Sequence, residues 1–203
     1  MRIIFLAACL ILTSKIYSQS SFYEVNIEPG INIYTSVYNT MSYPGISETR
    51  GNFSIRKNTG ANFNFSALFS ATTALKLGFG FEADRIDAYY VFGPTVNAKL
   101  EFPLSSKISP FIEGAIGFIN RKNNNNYDNG LLAFAKAGIS YRILNRFFRY
   151  VDHLSIIASG GYKFFEYGYS HNFESLSDPS GDGLVYRENF KVINFNLGAS
   201  IGF

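Results

Sequence analysis

Eight stretches of this chain alternate strictly between apolar and polar residues. That period of two constrains the fold more than any other feature. In the first stretch Tyr23, Val25, Ile27, Ile31 and Ile33 share one face, and Glu24, Asn26, Glu28 and Asn32 share the other. Phe63, Phe65, Ala67 and Phe69 oppose Asn62, Asn64 and Ser66 in the second; Leu75, Leu77, Phe79 and Phe81 oppose Lys76, Gly78, Gly80 and Glu82 in the third. The remaining five are centred on Val96, Ile116, Ala137, Ile156 and Leu197. Such alternation marks strands with one apolar and one polar face. No segment after Ser20 sustains the 3.6-residue period of a helix. The expected fold class is therefore all-β, an up-and-down antiparallel barrel of eight strands.

The connectors also alternate. Ser36–Asn52, Asn120–Gly130 and Gly168–Glu188 read as long polar loops, and Ser70–Thr73 and Leu104–Lys107 as short turns. Leu144–Asp152 reads as a longer aromatic-basic connector on the short-turn side, and Asp84–Tyr89 as a tight one on the long-loop side. Long loops at one end and short turns at the other describe a meander.

The polar faces decide which side is in. They carry Glu24, Glu28, Glu82, Asp84, Glu101 and Glu113 against Arg56, Lys76, Lys99, Lys136, Arg142 and Lys163. A closed interior needs such balance, because an unpaired buried charge is very costly. The same faces are rich in Gly and Ser, which suits an eight-stranded interior just wide enough for side chains. A soluble barrel would invert this arrangement. The apolar strips run about nine to eleven residues, the length of a tilted membrane strand. They carry aromatics toward their ends (Tyr23, Phe69, Phe102, Phe118, Tyr162 and Phe203), as an interfacial girdle would. The barrel is thus expected to be transmembrane, with an interior charge network of Glu24, Lys76, Glu82, Asp84, Lys99, Glu101, Glu113, Lys136, Arg142 and Lys163. Its lower layer is expected to join Glu24, Lys76, Lys99, Glu101, Glu113 and Arg142.

Residues 1–20 read as an export signal. Met1-Arg2 precedes an apolar run from Ile3 to Leu12, with small residues at Ser18 and Ser20. Cleavage is expected after Ser18 or Ser20, which leaves residues 21–203 as the barrel domain. It removes Arg2 and Lys15, so the formal charge falls from +3 to +1 (3 − 2). The one Cys, Cys9, lies inside the apolar run and not at its end, so a lipid anchor is not expected. A single Cys excludes a disulfide framework and a multi-Cys metal site. A charge of +3 is too small for a nucleic-acid surface.

The chain ends Asn196-Leu197-Gly198-Ala199-Ser200-Ile201-Gly202-Phe203. This octapeptide resembles the carboxy-terminal β-signal of bacterial outer-membrane proteins, carried here by Asn196, Gly198, Ile201 and Phe203. Its physical role is to pair the last strand with the first and remove both sheet edges. With the export signal and the alternating strands, the chain resembles the small eight-stranded outer-membrane barrels, of the OmpX and OmpA-transmembrane-domain kind. The resemblance implies residence in the bacterial outer membrane, termini in the periplasm, loops outside the cell, and contact with the barrel-insertion machinery. With no domain after Phe203, a peptidoglycan tether is not expected.

Chemistry is sparse. His153-Leu154-Ser155 resembles the His-x-Ser of barrel-borne lipid A deacylases. However, His153 falls at a periplasmic turn, Ser155 points inward, and no matching Glu follows. Ser170-His171 reads as solvated loop. Asp178-Pro179-Ser180-Gly181-Asp182-Gly183 has the opening of a calcium loop, but its twelfth position is Asn189 and not Glu. Turn chemistry accounts for it better. Asn123–Asn126 reads as a solvated loop tip. Arg146-Phe147-Phe148-Arg149-Tyr150 places aromatics at the interface and Arg toward lipid phosphates. The expected function is a non-catalytic barrel with a plugged polar interior, no cofactor and no metal. It is expected to be a monomer that meets outer-membrane lipid and a surface or periplasmic partner the sequence does not name. The alternatives are a small channel, an accessory of an envelope secretion or assembly machine, and a lipid-modifying barrel enzyme.

Overall fold

The computed structural model describes residues 22–43, 46–52, 59–86, 89–123, 126–171 and 184–203. The export signal, Arg56 and the Asp178–Gly183 loop lie outside the described residues. The strands are β1 (Tyr23–Tyr43), β2 (Ile46–Asn52), β3 (Thr59–Ser70), β4 (Leu75–Ile86), β5 (Tyr89–Glu101), β6 (Ile108–Asn123), β7 (Asn126–Phe148), β8 (Val151–His171) and β9 (Leu184–Gly202). All neighbours are antiparallel, the order follows the chain from β3 to β9, and β1 also pairs with β9. β2 and β3 share one edge of β1, the first opposite Tyr38–Tyr43 and the second opposite Tyr23–Ile33. Nine segments therefore form eight staves of one closed barrel.

The register fixes the shape. One row of paired residues runs Glu24, Leu68, Gly78, Asn97, Ala115, Phe134, Lys163, Val192 and returns to β1 at Tyr34. The circuit climbs ten residues (34 − 24), so the shear is 10 for eight strands. With a rise of about 3.3 Å and a strand spacing of about 4.8 Å, the staves tilt by roughly 40°. Closure is completed at the terminal end, where Tyr23 N–H donates to Phe203 O at 3.2 Å and Phe203 N–H donates to Tyr23 O at 2.8 Å.

The outer surface is apolar. Ile27, Ile31, Phe63, Phe79, Val96, Ile112, Ile116, Phe118, Ile139, Tyr162, Phe195 and Leu197 are all exposed, Ile116 by 67% and Phe118 by 71%. Each belongs to an apolar strip of the sequence, and each is paired around the wall with others of its kind. An uninterrupted apolar belt of this size does not face water. A closed barrel satisfies every backbone group internally, which is the condition for facing hydrocarbon. No helix among the described residues is long and apolar enough to cross a membrane.

The long polar loops expected at one end are corrected by the structure. β1 runs on to Tyr43 and β2 begins at Ile46; β6 reaches Asn123 and β7 begins at Asn126; β8 reaches His171 and β9 begins at Leu184. These segments are arms of continued ladder. Likewise the Leu144–Asp152 connector shrinks to a turn at Arg149-Tyr150, reached through irregular pairing between Arg142 and Phe148. The pattern is the same in each place: the hydropathy alternation stops while the hydrogen-bond ladder goes on.

Candidate functional site

Among the described residues polar chemistry is concentrated in the interior, and the pleat puts it there. Inward residues on β1 are Glu24, Asn26, Glu28 and Asn32; on β3 Asn62, Asn64 and Ser66; on β4 Lys76, Glu82 and Asp84. Thr95, Asn97 and Lys99 come from β5, Glu113 from β6, Lys136 from β7, Ser155, Ser159 and Lys163 from β8, and Asn194, Asn196 and Ser200 from β9. All are buried, Lys99 and Glu28 completely.

The charges form three layers. At the terminal end Lys76 and Lys99 stand directly opposite each other on β4 and β5. Two carboxylates bridge them. Glu101 lies 2.8 Å from Lys76 and 2.7 Å from Lys99; Glu24 lies 2.5 Å from Lys99 and also pairs with Lys76. The middle layer centres on Lys136, 2.6 Å from Glu28 and 3.3 Å from Glu113. Ser159 Oγ donates to Glu28 at 2.9 Å, and Asn97 Nδ2 donates to Glu113 at 2.8 Å. The upper layer centres on Lys163, 3.0 Å from Asp84 and paired with Glu82. Asn64 Nδ2 donates to Glu82 at 2.6 Å. Asn62 Nδ2 donates to Asn32 Oδ1 at 2.6 Å, and Asn32 Nδ2 donates to Asp84.

The lower layer differs from the expected one. Glu24, Lys76, Lys99 and Glu101 come together, but Glu113 turns to Lys136. Arg142 is half-buried and makes no ion pair with that layer among the described residues. It sits opposite Ser155 in register, and its N–H donates to Lys107 O at 2.7 Å. Register explains the exchange: Glu113 is paired with Lys99 on one side and Lys136 on the other, and Glu101 already occupies Lys99.

Glycines make room for these side chains. A Cβ at Gly161 would lie 2.5 Å from Lys136 Cα and 2.7 Å from its Cβ, so the wall beneath that lysine must be bare. A Cβ at Gly198 would lie 2.7 Å from Glu28 Cα and 2.8 Å from its Cγ. Gly198 of the terminal octapeptide thus sits under the acid of the middle layer, while Asn196 points inward and Phe203 outward.

Sequence reading missed an apolar band inside the barrel. Tyr34, Val91, Ala115, Ile119, Leu132, Phe134, Phe165, Phe190 and Val192 cluster there, all at least 94% buried. The signal was available in the phase: Leu132 and Phe134 have the parity of Lys136, and Phe165 has that of Lys163. His153 is also corrected. It lies within β8, points inward and is buried, because β8 already begins at Val151. Arg149 and Tyr150 are exposed, with the guanidinium 5.9 Å from the ring centre. Among the described residues no group of His, Cys, Asp and Glu is arranged to hold a metal ion by itself.

No family model matches the chain, and no curated protein matches it by sequence. Solved structures do match in fold. The outer membrane protein OprG of Pseudomonas aeruginosa is 8% identical, with a TM-score of 0.48 over 91% of this chain and 97% of its own. The outer membrane protein AlkL, solved in lipid bilayers, is 9% identical, with a TM-score of 0.47 over 92% of each chain. Neisserial surface protein A is 10% identical, with a TM-score of 0.46 over 92% of this chain and all of its own.

Proposed function

We propose that this protein is a bacterial outer-membrane barrel whose lumen is sealed and whose projecting arms are its working surface. The observation that carries the reading is the filled interior. Three ion-pair layers and an apolar band occupy the space that a pore would need. On this reading the barrel is a non-catalytic monomer and a rigid mount. At a rise of about 3.3 Å and a tilt of roughly 40°, the 23 residues of β7 reach about 58 Å, against an apolar band of about 25 Å. The part of that surplus at the end away from Phe203 stands in water, where it meets a partner. The export signal at residues 1–20 and the terminal strand supply the route to the membrane and the signal for insertion.

Planar-bilayer recording tests the seal. Purified barrel should add no steady unit conductance in 1 M KCl. Steady large steps that scale with protein would overturn the reading in favour of a channel. Pull-down of surface ligands by intact cells, with and without residues 36–52 and 168–188, tests the arms. Equal capture by both would remove them as the contact surface.

A further inference from the structure

The Phe203 end of the barrel is not level. Two of its turns close beside their neighbours. At the β3–β4 turn Ser70 N–H donates to Phe22 O at 3.0 Å, and at the β5–β6 turn Lys107 O accepts from Arg142 N–H at 2.7 Å. The β7–β8 hairpin goes further. That bond at Arg142 is the last between β7 and the β5–β6 hairpin among the described residues, yet β7 runs on to Phe148, six residues more (148 − 142). On the other side β8 begins at Val151, two residues (153 − 151) before His153, where its pairing with β9 starts. Among the described residues, 143–148 and 151–152 therefore have no neighbouring strand outside the hairpin. They are held by its own ladder, Leu144 to Leu154, Asn145 to His153 and Phe148 to Val151.

The tip projects past the membrane boundary. Tyr23 and Phe203 are exposed aromatics that mark that boundary at this end. At a rise of about 3.3 Å and a tilt of roughly 40°, Arg149 and Tyr150 stand roughly 10 Å beyond the end of β9. The headgroup layer is only about 5–7 Å thick on each side of a bilayer. The tip thus stands in water, yet it is not built like a solvated turn. Tyr150 is 76% exposed, and the Arg149 guanidinium lies 5.9 Å from its ring centre. Ile143 and Leu144, at the base, are exposed as well. The charge is one-sided. Outside the square of Glu24, Lys76, Lys99 and Glu101, the charged residues of this end are Lys107, Arg142, Arg146 and Arg149 against Asp152.

We propose that the β7–β8 hairpin is a second docking surface, and that it takes an acidic face of a soluble periplasmic protein. Four cations to one anion call for a partner of the opposite sign, which steers the encounter. A guanidinium grips a carboxylate through two parallel hydrogen bonds. Tyr and Arg side by side are the residue types that anchor interfaces. Reach selects a protein over lipid phosphates, because the tip passes the headgroups. The location rests on the reading that the Phe203 end faces the periplasm.

Site-specific photo-crosslinking in living cells tests this, with the intact barrel carrying p-benzoylphenylalanine at the position of Tyr150 or, as control, of Leu104, which is equally exposed in the β5–β6 turn. The Tyr150 position should capture an acidic protein that the Leu104 position does not. That protein, purified and titrated against the barrel in nanodiscs, should bind less tightly as salt rises. Arg149→Glu and Tyr150→Ala should each weaken it at least about tenfold, and Arg149→Lys less. Adducts with lipid alone, no adduct, the same products at both positions, or unchanged affinity for Arg149→Glu would each overturn the proposal. Orientation is read separately. Tyr150→Cys should react with a membrane-impermeant maleimide in opened cells and not in intact ones; reaction in intact cells would overturn the periplasmic placement itself.

Discussion

Lys76 and Lys99 face each other across the β4–β5 ladder, and each is held by both Glu24 and Glu101. Like charges directly opposite on neighbouring strands repel. Here the two acids convert that repulsion into a closed square of four contacts. Removing one lysine leaves a buried carboxylate uncompensated, which costs about 3–5 kcal/mol. Lys99→Met should lower the urea unfolding free energy in lipid by that amount. Lys99→Met with Glu24→Gln should lose less than the sum of the single variants. Additive losses would show that the square is not a unit.

Gly161 should tolerate no side chain. Gly161→Leu drives its Cβ against Lys136 and should cost at least about 2 kcal/mol, as overpacking does. Gly114 is the control. A Cβ there meets only Phe134 O, at 3.7 Å, so Gly114→Ala should be within about 0.5 kcal/mol of the parent. Unfolding in urea, read by the mobility difference between boiled and unboiled samples, compares the two directly.

The outward face should reject charge in proportion to depth. Ile116, exposed and near the middle of the apolar belt, should lose about 2–4 kcal/mol as Ile116→Arg. Leu104, equally exposed but in the β5–β6 turn, should lose under about 1 kcal/mol as Leu104→Arg. Equal losses at both positions would remove the lipid from the explanation.

At the terminal end the β1–β9 ladder finishes on two hydrogen bonds between Tyr23 and Phe203. Deleting Phe203 removes both, worth about 2 kcal/mol together. Folding into liposomes, followed by electrophoretic mobility, should slow, while Phe203→Tyr should fold at the parent rate.

The membrane-embedded part of this fold was legible because lipid enforces it. Where one face meets hydrocarbon and the other a packed lumen, residues such as Phe79 and Gly80, or Val96 and Asn97, must alternate. The arms were not legible, because beyond Tyr34 and Glu166 the hydropathy alternation ends while the ladder continues, and a backbone hydrogen bond asks for no particular side chain. The interior apolar band was hidden for a different reason. Phe134 and Phe165 have the composition of the outer face and the parity of the inner one, and only parity places them. Pairings within the charge network depend on the register between strands, and the sequence leaves that open, so Glu113 was assigned to the wrong layer.

The central claim is that the apolar parity faces lipid and the charged parity faces a closed lumen. The only Cys of the sequence is Cys9, within the expected export signal, so single-Cys variants of the barrel can be spin-labelled at one site each. Labels at Phe79, Val96, Ile116, Ile139 and Leu197, in lipid vesicles, should relax strongly with oxygen and weakly with a water-soluble nickel chelate. Labels one residue away, at Asn97 and Ala115, should be immobilised and inaccessible to both. High nickel accessibility at the first set would contradict the inside-out barrel, and free nickel access at the second would contradict the sealed lumen.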